Sequence, residues 1–279
     1  MKKIRKVLIY STSIFLKKNE TNLIVKYLSK TCSIVDTFTL DEDVEQVAAG
    51  KYDLILSIGG DGIFLSASKY AYLNSTPILG LNFGRIGFLA DLDKKDLQTK
   101  IKEVLEGNYV IDKRTLLSGE VTVDDKKYRS ISLNDIVINN RGILKMIEMN
   151  IYVNENLITK QRSDGVIVAT PTGSTAYAMS NGCPIVSPNS NVVCIVPIAP
   201  HSYGQRSVII NNNDSVHIEV NKKSIKNAQV TFDGSNNLTI ESPSRILIKK
   251  AKKQLMIVHP CDYDYFSALS KKLKYEIKS

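Results

Sequence analysis

A chain of 279 residues, 43% hydrophobic and 23% charged, is long enough to bury a substantial core as one large or two medium domains. Nowhere does it run to the roughly 18 consecutive apolar residues of a helical membrane span. Its net charge of +9 suits a phosphorylated small molecule, nucleic acid or an anionic membrane. The lysines of Lys249-Lys250-Ala251-Lys252-Lys253 and Lys271-Lys272-Leu273-Lys274 lack the aromatic interleaving of a single-strand binder and read as a solvated basic face.

The opening segment, with basic residues before Val7-Leu8-Ile9-Tyr10, reads as a first strand and loop rather than a leader, because Ser11-Thr12-Ser13 interrupts the apolar stretch. Further buried strands are predicted at Ser33 to Val35, Asp53 to Ile58 and Pro77 to Leu81, all continuously apolar rather than alternating. Helical spacing over Thr21 to Lys30, Ile63 to Leu73 and Asp93 to Glu106 separates or follows them, giving a parallel α/β sheet with helices on its faces. After Gly107-Asn108 the texture changes. Strands are predicted at Gly119 to Val123, Tyr128 to Ile138, Glu148 to Val153, Val166 to Ala169, Val192 to Ile198, Val208 to Ile210, Val216 to Val220, Gln229 to Phe232, Leu238 to Ile240, Ile246 to Ile248 and Leu255 to Val258. Helical sequence returns at Tyr265 to Leu273, apart from a short stretch after Ser174. The expected division is an α/β domain over 1–110, a β-rich domain over 111–262, and a C-terminal helical segment over 263–279 that packs back on the first domain.

Three stretches carry chemistry. Gly59-Gly60-Asp61-Gly62 joins the end of a predicted parallel strand to the start of a helix, where backbone N–H groups and the helix dipole favour anions. It is neither a G-x-G-x-x-G fingerprint nor a Walker A loop, and a tight turn with a capping acid competes with the ligand reading. Asn134-Asp135 follows apolar Ile131 and Leu133; alone it reads as a strand-end turn, since neighbouring strand side chains point to opposite faces. From Arg162-Ser163-Asp164-Gly165, a buried strand runs into Thr170-Pro171-Thr172-Gly173-Ser174-Thr175-Ala176-Tyr177. There, hydroxyls and N–H groups at a helix start form either a phosphate or ribose cradle, with Tyr177 placed to stack on a base, or a surface turn.

Cys32, Cys183, Cys194 and Cys261 are widely spaced, with no paired C-x-x-C and no histidine at zinc-ligand spacing, and read as reduced thiols of a cytoplasmic protein. His201, His217 and His259 lack partners at catalytic or metal spacing and read as structural.

In order along nearly the whole chain, these stretches resemble the bacterial NAD kinase family. The resemblance rests on Gly59-Gly60-Asp61-Gly62, Gly80 through Asp91, Asn134-Asp135, Ser163-Asp164-Gly165 through Gly173-Ser174-Thr175-Ala176-Tyr177, and His259-Pro260 with Tyr265-Phe266. The G-G-D-G motif is shared with diacylglycerol kinase-like and phosphofructokinase-like enzymes; the later block and the Asn-Asp pair narrow the match. The resemblance implies an α/β N-terminal domain with a parallel sheet, a β-sandwich-like C-terminal domain, and a homo-oligomer, dimer or tetramer. It implies NAD as acceptor and ATP as phosphoryl donor, with Mg2+ or another divalent cation delivered by ATP and no dedicated metal ligands. It places Asp61 as the catalytic residue facing the adenosine ribose 2′-hydroxyl. Gly62, Phe88, Asn134, Asp135, Lys145, Arg162, Asp164, Thr175, Ala176, Tyr177 and Ser180 join it at substrate, some across a subunit interface. Gly59, Gly60, Gly173 and Ser174 are assigned to phosphate.

Three positions depart from the family pattern. Asp135 stands for a frequent Glu, Ser235 for a frequent Gln after Asp233-Gly234, and Ala90 for a frequent Thr. A lipid or sphingoid-base kinase of the same superfamily, and a dinucleotide sensor without transfer, are the rival readings.

Overall fold

The computed structural model describes residues 2–39, 51–82, 87, 89, 92, 97–123, 126–141, 146–222, 224, 228–240 and 244–274. The chain divides into two compact units, Met1–Lys113 with Leu255–Ser279, and Arg114–Gln254.

In the first unit, a six-stranded sheet runs in the order β2-β1-β3-β4-β18-β5. Its members are β1 (Lys6–Ser11), β2 (Ile34–Thr39), β3 (Leu54–Ile58), β4 (Ile78–Leu81), β5 (Val110–Arg114) and β18 (Leu255–His259). The pairings β1–β2, β1–β3, β3–β4 and β4–β18 are parallel. Alternation along β1, which leads into the single turn α1 (Ser13–Leu16), sends Val7 and Ile9 to one face, where they join Ile24 and Leu28 of α2 (Asn19–Thr31) and Ile101, Val104 and Leu105 of α4 (Leu97–Glu106). Tyr10 faces the other side, and its hydroxyl meets Ser66 Oγ of α3 (Asp61–Asn74) at 2.8 Å. Covered on both faces, β3 is buried throughout, which is why it reads as an apolar run broken only at Ser57.

The expectation that Leu255 to Val258 belongs to the β-rich domain is corrected. Strand β18 pairs with β4 through Ile257 and Ile78, and α6 (Tyr265–Leu273) follows it in the same unit. Its apolar run is the signature of a strand inside a parallel sheet, but sequence order cannot tell which sheet.

The second unit is a sandwich of two antiparallel sheets, β10-β9-β14-β17-β6-β7 and β13-β12-β11-β8-β15-β16. The first holds β6 (Leu117–Val123), β7 (Lys126–Ser132), β9 (Ile147–Val153), β10 (Asn156–Ser163), β14 (Val216–Val220) and β17 (Ser244–Lys250). The second holds β8 (Asp135–Asn140), β11 (Gly165–Ala169), β12 (Val192–Ile198), β13 (Val208–Asn211), β15 (Ala228–Phe232) and β16 (Ser235–Ile240). Both contribute to one core, which includes Val121, Ile151 and Ile218 from the first and Ile138, Val166 and Phe232 from the second. The sheets approach so closely at Gly119 that a Cβ there would lie 2.6 Å from Phe232. The outer face of the second sheet carries its own cluster of Val137, Ile167, Ala169, Cys194 and Val196. It is covered by Ala178 of α5 (Tyr177–Ser180) together with Cys183. Strand β11 is therefore buried on both sides although its sheet is antiparallel.

Two differences from the predicted elements follow from edges and breaks. The polar strands β5 and β10, which hydrophobic patterning passes over, are edge strands. The predicted strand Tyr128 to Ile138 is two strands, β7 and β8, in different sheets, divided at Leu133-Asn134.

Candidate functional site

In the first unit, the end of β3 leads through Gly59 and Gly60 into α3, so Asp61 is the first helical residue. Gly59 has φ +148°, and a Cβ there would lie 2.2 Å from Ile63 Cδ1, so the turn requires glycine. Its N–H donates to Leu81 O at 2.9 Å, tying the exits of β3 and β4 together. A Cβ built at Gly60 or Gly62 meets no described atom within 4 Å, so these two leave open space beside the acid. The helix start presents N–H groups that no intrahelical carbonyl can reach, and its dipole favours a carboxylate or phosphate there. The Asp61 carboxylate is held from one side: Leu89 N–H donates to Oδ1 at 3.4 Å, and a Cβ on Gly87 would fall 2.0 Å from the same oxygen.

In the second unit, Asp233 organises the break before β8. Its Oδ2 accepts Leu133 N–H at 2.9 Å, and its Oδ1 accepts Asn134 N–H at 2.8 Å and Asp135 N–H at 3.2 Å. In return Asp233 N–H donates to Asp135 O at 3.0 Å. Asp233 and Gly234 have φ of +52° and +67°, the pair of positive values that a two-residue hairpin turn between β15 and β16 demands. Ser235 Oγ donates to Phe232 O at 3.1 Å across that turn, which accounts for this position structurally.

Asp135 is 4% exposed. It pairs with Ala169 across β8 and β11, and lies on the outer face with Val137 and Ala169, the face that α5 covers. Burial, and then the negative charge of Asp233, push its carboxyl up to about 7. Such a group stands near half-protonation at neutral pH and can donate or accept a hydrogen bond to a polar ligand.

The loop after β11 is packed onto this break. Thr170 N–H donates to Asn134 O at 2.9 Å, and Thr170 Oγ1 donates to Leu133 O at 2.6 Å while accepting Gly173 N–H at 3.0 Å. A Cβ on Gly173 would lie 2.0 Å from Asn134 O, so glycine alone permits the approach. The expected phosphate contacts from Gly173 and Ser174 are corrected here. Ser174 is fully buried, its hydroxyl donating to Pro171 O at 2.7 Å and accepting Val186 N–H at 3.0 Å. Thr175 Oγ1 donates to Thr172 O at 3.1 Å, and buried Arg114 donates to Thr172 Oγ1 at 3.2 Å. The hydroxyls build the 3-10 turn Thr172–Thr175, while Ala176, Tyr177 and Ser180 reach its surface, Tyr177 being 46% exposed.

Family models for the ATP-NAD kinase N-terminal domain and C-terminal domain match residues 8–109 and 133–260. The chain belongs to the NAD kinase family. Among its relatives, the NAD kinase of Teredinibacter turnerae is 37% identical over 222 residues, 79% of this chain and 76% of that one. That of Legionella pneumophila strain Corby is 36% identical over 229 residues, 82% and 78% of the two chains. The fold is that of yeast NADH kinase, solved with NADH, at TM-score 0.85 and 19% identity over 99% of this chain and 89% of that one. It is also that of an NAD kinase from Archaeoglobus fulgidus, solved with ATP, at TM-score 0.77 and 24% identity over 97% and 98%.

Against the NAD kinase pattern, the structure brings Asn134, Asp135, Thr175, Ala176 and Tyr177 together at one end of β8 and β11. Arg162 and Asp164, both exposed, lie at the other: Gly165 pairs with Asn139, four positions along from the Ala169–Asp135 pair, roughly 13 Å at strand rise. Phe88 and Lys145 lie outside the described residues. Sequence reasoning missed Asp233. Its signal was the Asp-Gly dipeptide of a hairpin, but nothing local says which strand that carboxylate faces. His259 is buried, its ring stacked on Tyr263 at 3.7 Å and 6°, with Asp112 3.8 Å away.

Proposed function

We propose that the protein phosphorylates the 2′-hydroxyl of the adenosine ribose of NAD with the γ-phosphoryl group of ATP, giving NADP and ADP. The observation that carries the reading is Asp61 at the first position of α3, with open space at Gly60 and Gly62 and its other side closed by Gly87 and Leu89. The 2′-oxygen forms a bond to the γ-phosphorus as the bond from that phosphorus to the β,γ-bridging oxygen breaks, and the hydroxyl proton passes to the Asp61 carboxylate. In a loose phosphoryl-transfer transition state this proton moves late, so alignment of the hydroxyl and neutralisation of phosphate charge matter most, with base catalysis adding about 10²–10⁴-fold. In the first unit, the N–H groups at the start of α3 donate to phosphate oxygens; in the second, Asn134, Asp135 and Tyr177 offer hydrogen-bonding groups and a ring suited to a nucleoside.

Mg2+ neutralises phosphate charge when bound. A single part-exposed carboxylate suits an ion that arrives with the nucleotide and keeps several waters, and Asp61 is the residue that would hold it. The exposure of Arg162 and Asp164, far along β11 from Asp135, supports a homo-oligomer in which a second copy completes the site. The setting proposed is the cytoplasm, where the product supplies the NADP pool.

The test is purified protein with ATP, Mg2+ and NAD, scored for NADP, beside the Asp61→Ala variant. NADP formation that collapses in kcat for the variant is expected. Near-normal kcat in Asp61→Ala overturns the role of the acid. Phosphorylation of a lipid in place of NAD, or saturable NAD binding without NADP, would favour the lipid kinase or the sensor.

A further inference from the structure

We propose that Lys272, in the last turn of the C-terminal helix, is a catalytic residue that donates to a non-bridging oxygen of the phosphoryl group in flight. The inference rests on the reading of Asp61 given above. Lys272 Nζ lies 3.7 Å from Asp61 Oδ2, and its side chain is only 19% exposed, unlike Lys271 and Lys274 on either side of it, which are exposed. A lysine withdrawn from water at a helix end needs a reason, because its ammonium is otherwise free to hydrate at little cost.

The approach is built in by the preceding segment. The His259 ring at the end of β18 stacks on Tyr263, whose N–H donates to Pro260 O at 3.1 Å. Lys100 of α4 reaches Asp262 at 2.6 Å. Asp264 then caps α6, accepting Ser267 N–H at 2.8 Å, and Leu269 is buried. At the far end, Lys274 closes the helix in the left-handed conformation, its N–H donating to Ser270 O. A connection pinned at this many points delivers one lysine to the one carboxylate at the start of α3.

The chemistry of that carboxylate says what the ammonium meets. A hydroxyl that gives its proton to Asp61 sits about 3 Å from a carboxylate oxygen. The phosphorus bonding to that hydroxyl carries its three equatorial oxygens into the arc of the lysine's four-carbon stem. As the β,γ-bridge breaks ahead of full O–P bond formation, the charge in flight is spread over those three oxygens, and a cation already fixed beside them holds the group in line and neutralises it without reorganisation. Lys272 keeps its proton throughout, and Asp61 receives the one released.

The experiment compares wild type, Lys272→Ala, Lys272→Arg and Asp61→Asn, with kcat and both KM values, and titrates the Lys272→Ala enzyme with ethylammonium. A fall in kcat of about 10²-fold for Lys272→Ala is expected, with KM for NAD within about threefold, partial recovery in Lys272→Arg, and saturable restoration by the amine. Lys272→Ala turnover at or above the wild-type rate overturns the proposal. So does a loss that neither arginine nor amine relieves, which makes the lysine structural. Asp61→Asn separates the two readings: if it turns over normally, the assignment of the acid fails. If it is inactive while Lys272→Ala is not, only the lysine's role fails.

Discussion

Asp233 Oδ1 accepts the backbone N–H of Asn134 at 2.8 Å, so a hairpin turn some hundred residues downstream sets the conformation of the Asn-Asp pair. With Leu133 and Asp135 N–H also on this carboxylate, one side chain satisfies three backbone donors at the point where β7 gives way to β8. The carboxylate that fixes the pair also faces Asp135, so geometry and charge at this end of the sheet are coupled.

Removing the clamp should cost both stability and ligand affinity. Asp233→Ala strands three N–H groups, and with buried unsatisfied donors at about 1–3 kcal/mol each, only partly additive, a loss of about 3 kcal/mol is expected. That corresponds to a drop of about 6–12 °C in Tm, with a raised KM for NAD. A thermal melt within about 2 °C of wild type would remove the clamp from the account.

Asp135 sets a pH dependence whose sign is opposite to that of a salt-bridged acid. Its folded value near 7 lies above its ordinary carboxylate value, so the folded state binds the extra proton between the two. Its contribution is greatest below about pH 4 and is lost as pH rises towards 7. Melting wild type and Asp135→Asn at pH 5 and pH 8 should show the variant gaining relative to wild type at the higher pH. Parallel Tm values at both would refute it.

Gly173→Ala should fail for steric reasons alone. Its Cβ would lie 2.0 Å from Asn134 O, a backbone atom that Thr170 N–H also holds. Overpacking of this kind costs about 1–3 kcal/mol, so Tm should fall by several degrees with NAD binding weakened. Unchanged melting and KM would show that the loop can step aside.

The four residues at the start of α3 should separate folding from function. Gly59→Ala strains a backbone at φ +148° against Ile63 and should lower Tm. Gly62→Ala places its methyl in open space on a helix, where exchanging Gly for Ala is worth up to about 1 kcal/mol, so Tm should hold or rise. The same methyl occupies the space beside Asp61, and kcat/KM should fall by about tenfold or more. A Gly62→Ala enzyme of full activity would show that the space is not used.

The alternation of buried strands and helices in the first hundred residues is readable because a strand covered on both faces is mostly apolar, as β1 is from Val7 to Tyr10 and β3 is apart from Ser57. Two of the edge strands escape this signal: β5 and β10 are too polar for patterning to find. Asp61 could be singled out because the strand end, the glycines and the helix start are contiguous. The 170s loop stands out as well, but Ser174 and Thr170, which read as ligand groups in the sequence, are committed to the protein's own backbone.

Family, fold class and the candidate acid follow from the sequence by itself, because each depends on residues adjacent in the chain or on ordered motifs. The partner of every long-range polar group was decided only by tertiary structure. Asp233 meets Asn134 across 99 positions, and Lys272 meets Asp61 across 211, because strand pairing and helix docking bring them together. A carboxylate or ammonium looks the same in sequence wherever it points; burial and neighbours, which exist only in the fold, make it a clamp, a raised acid or a phosphate contact.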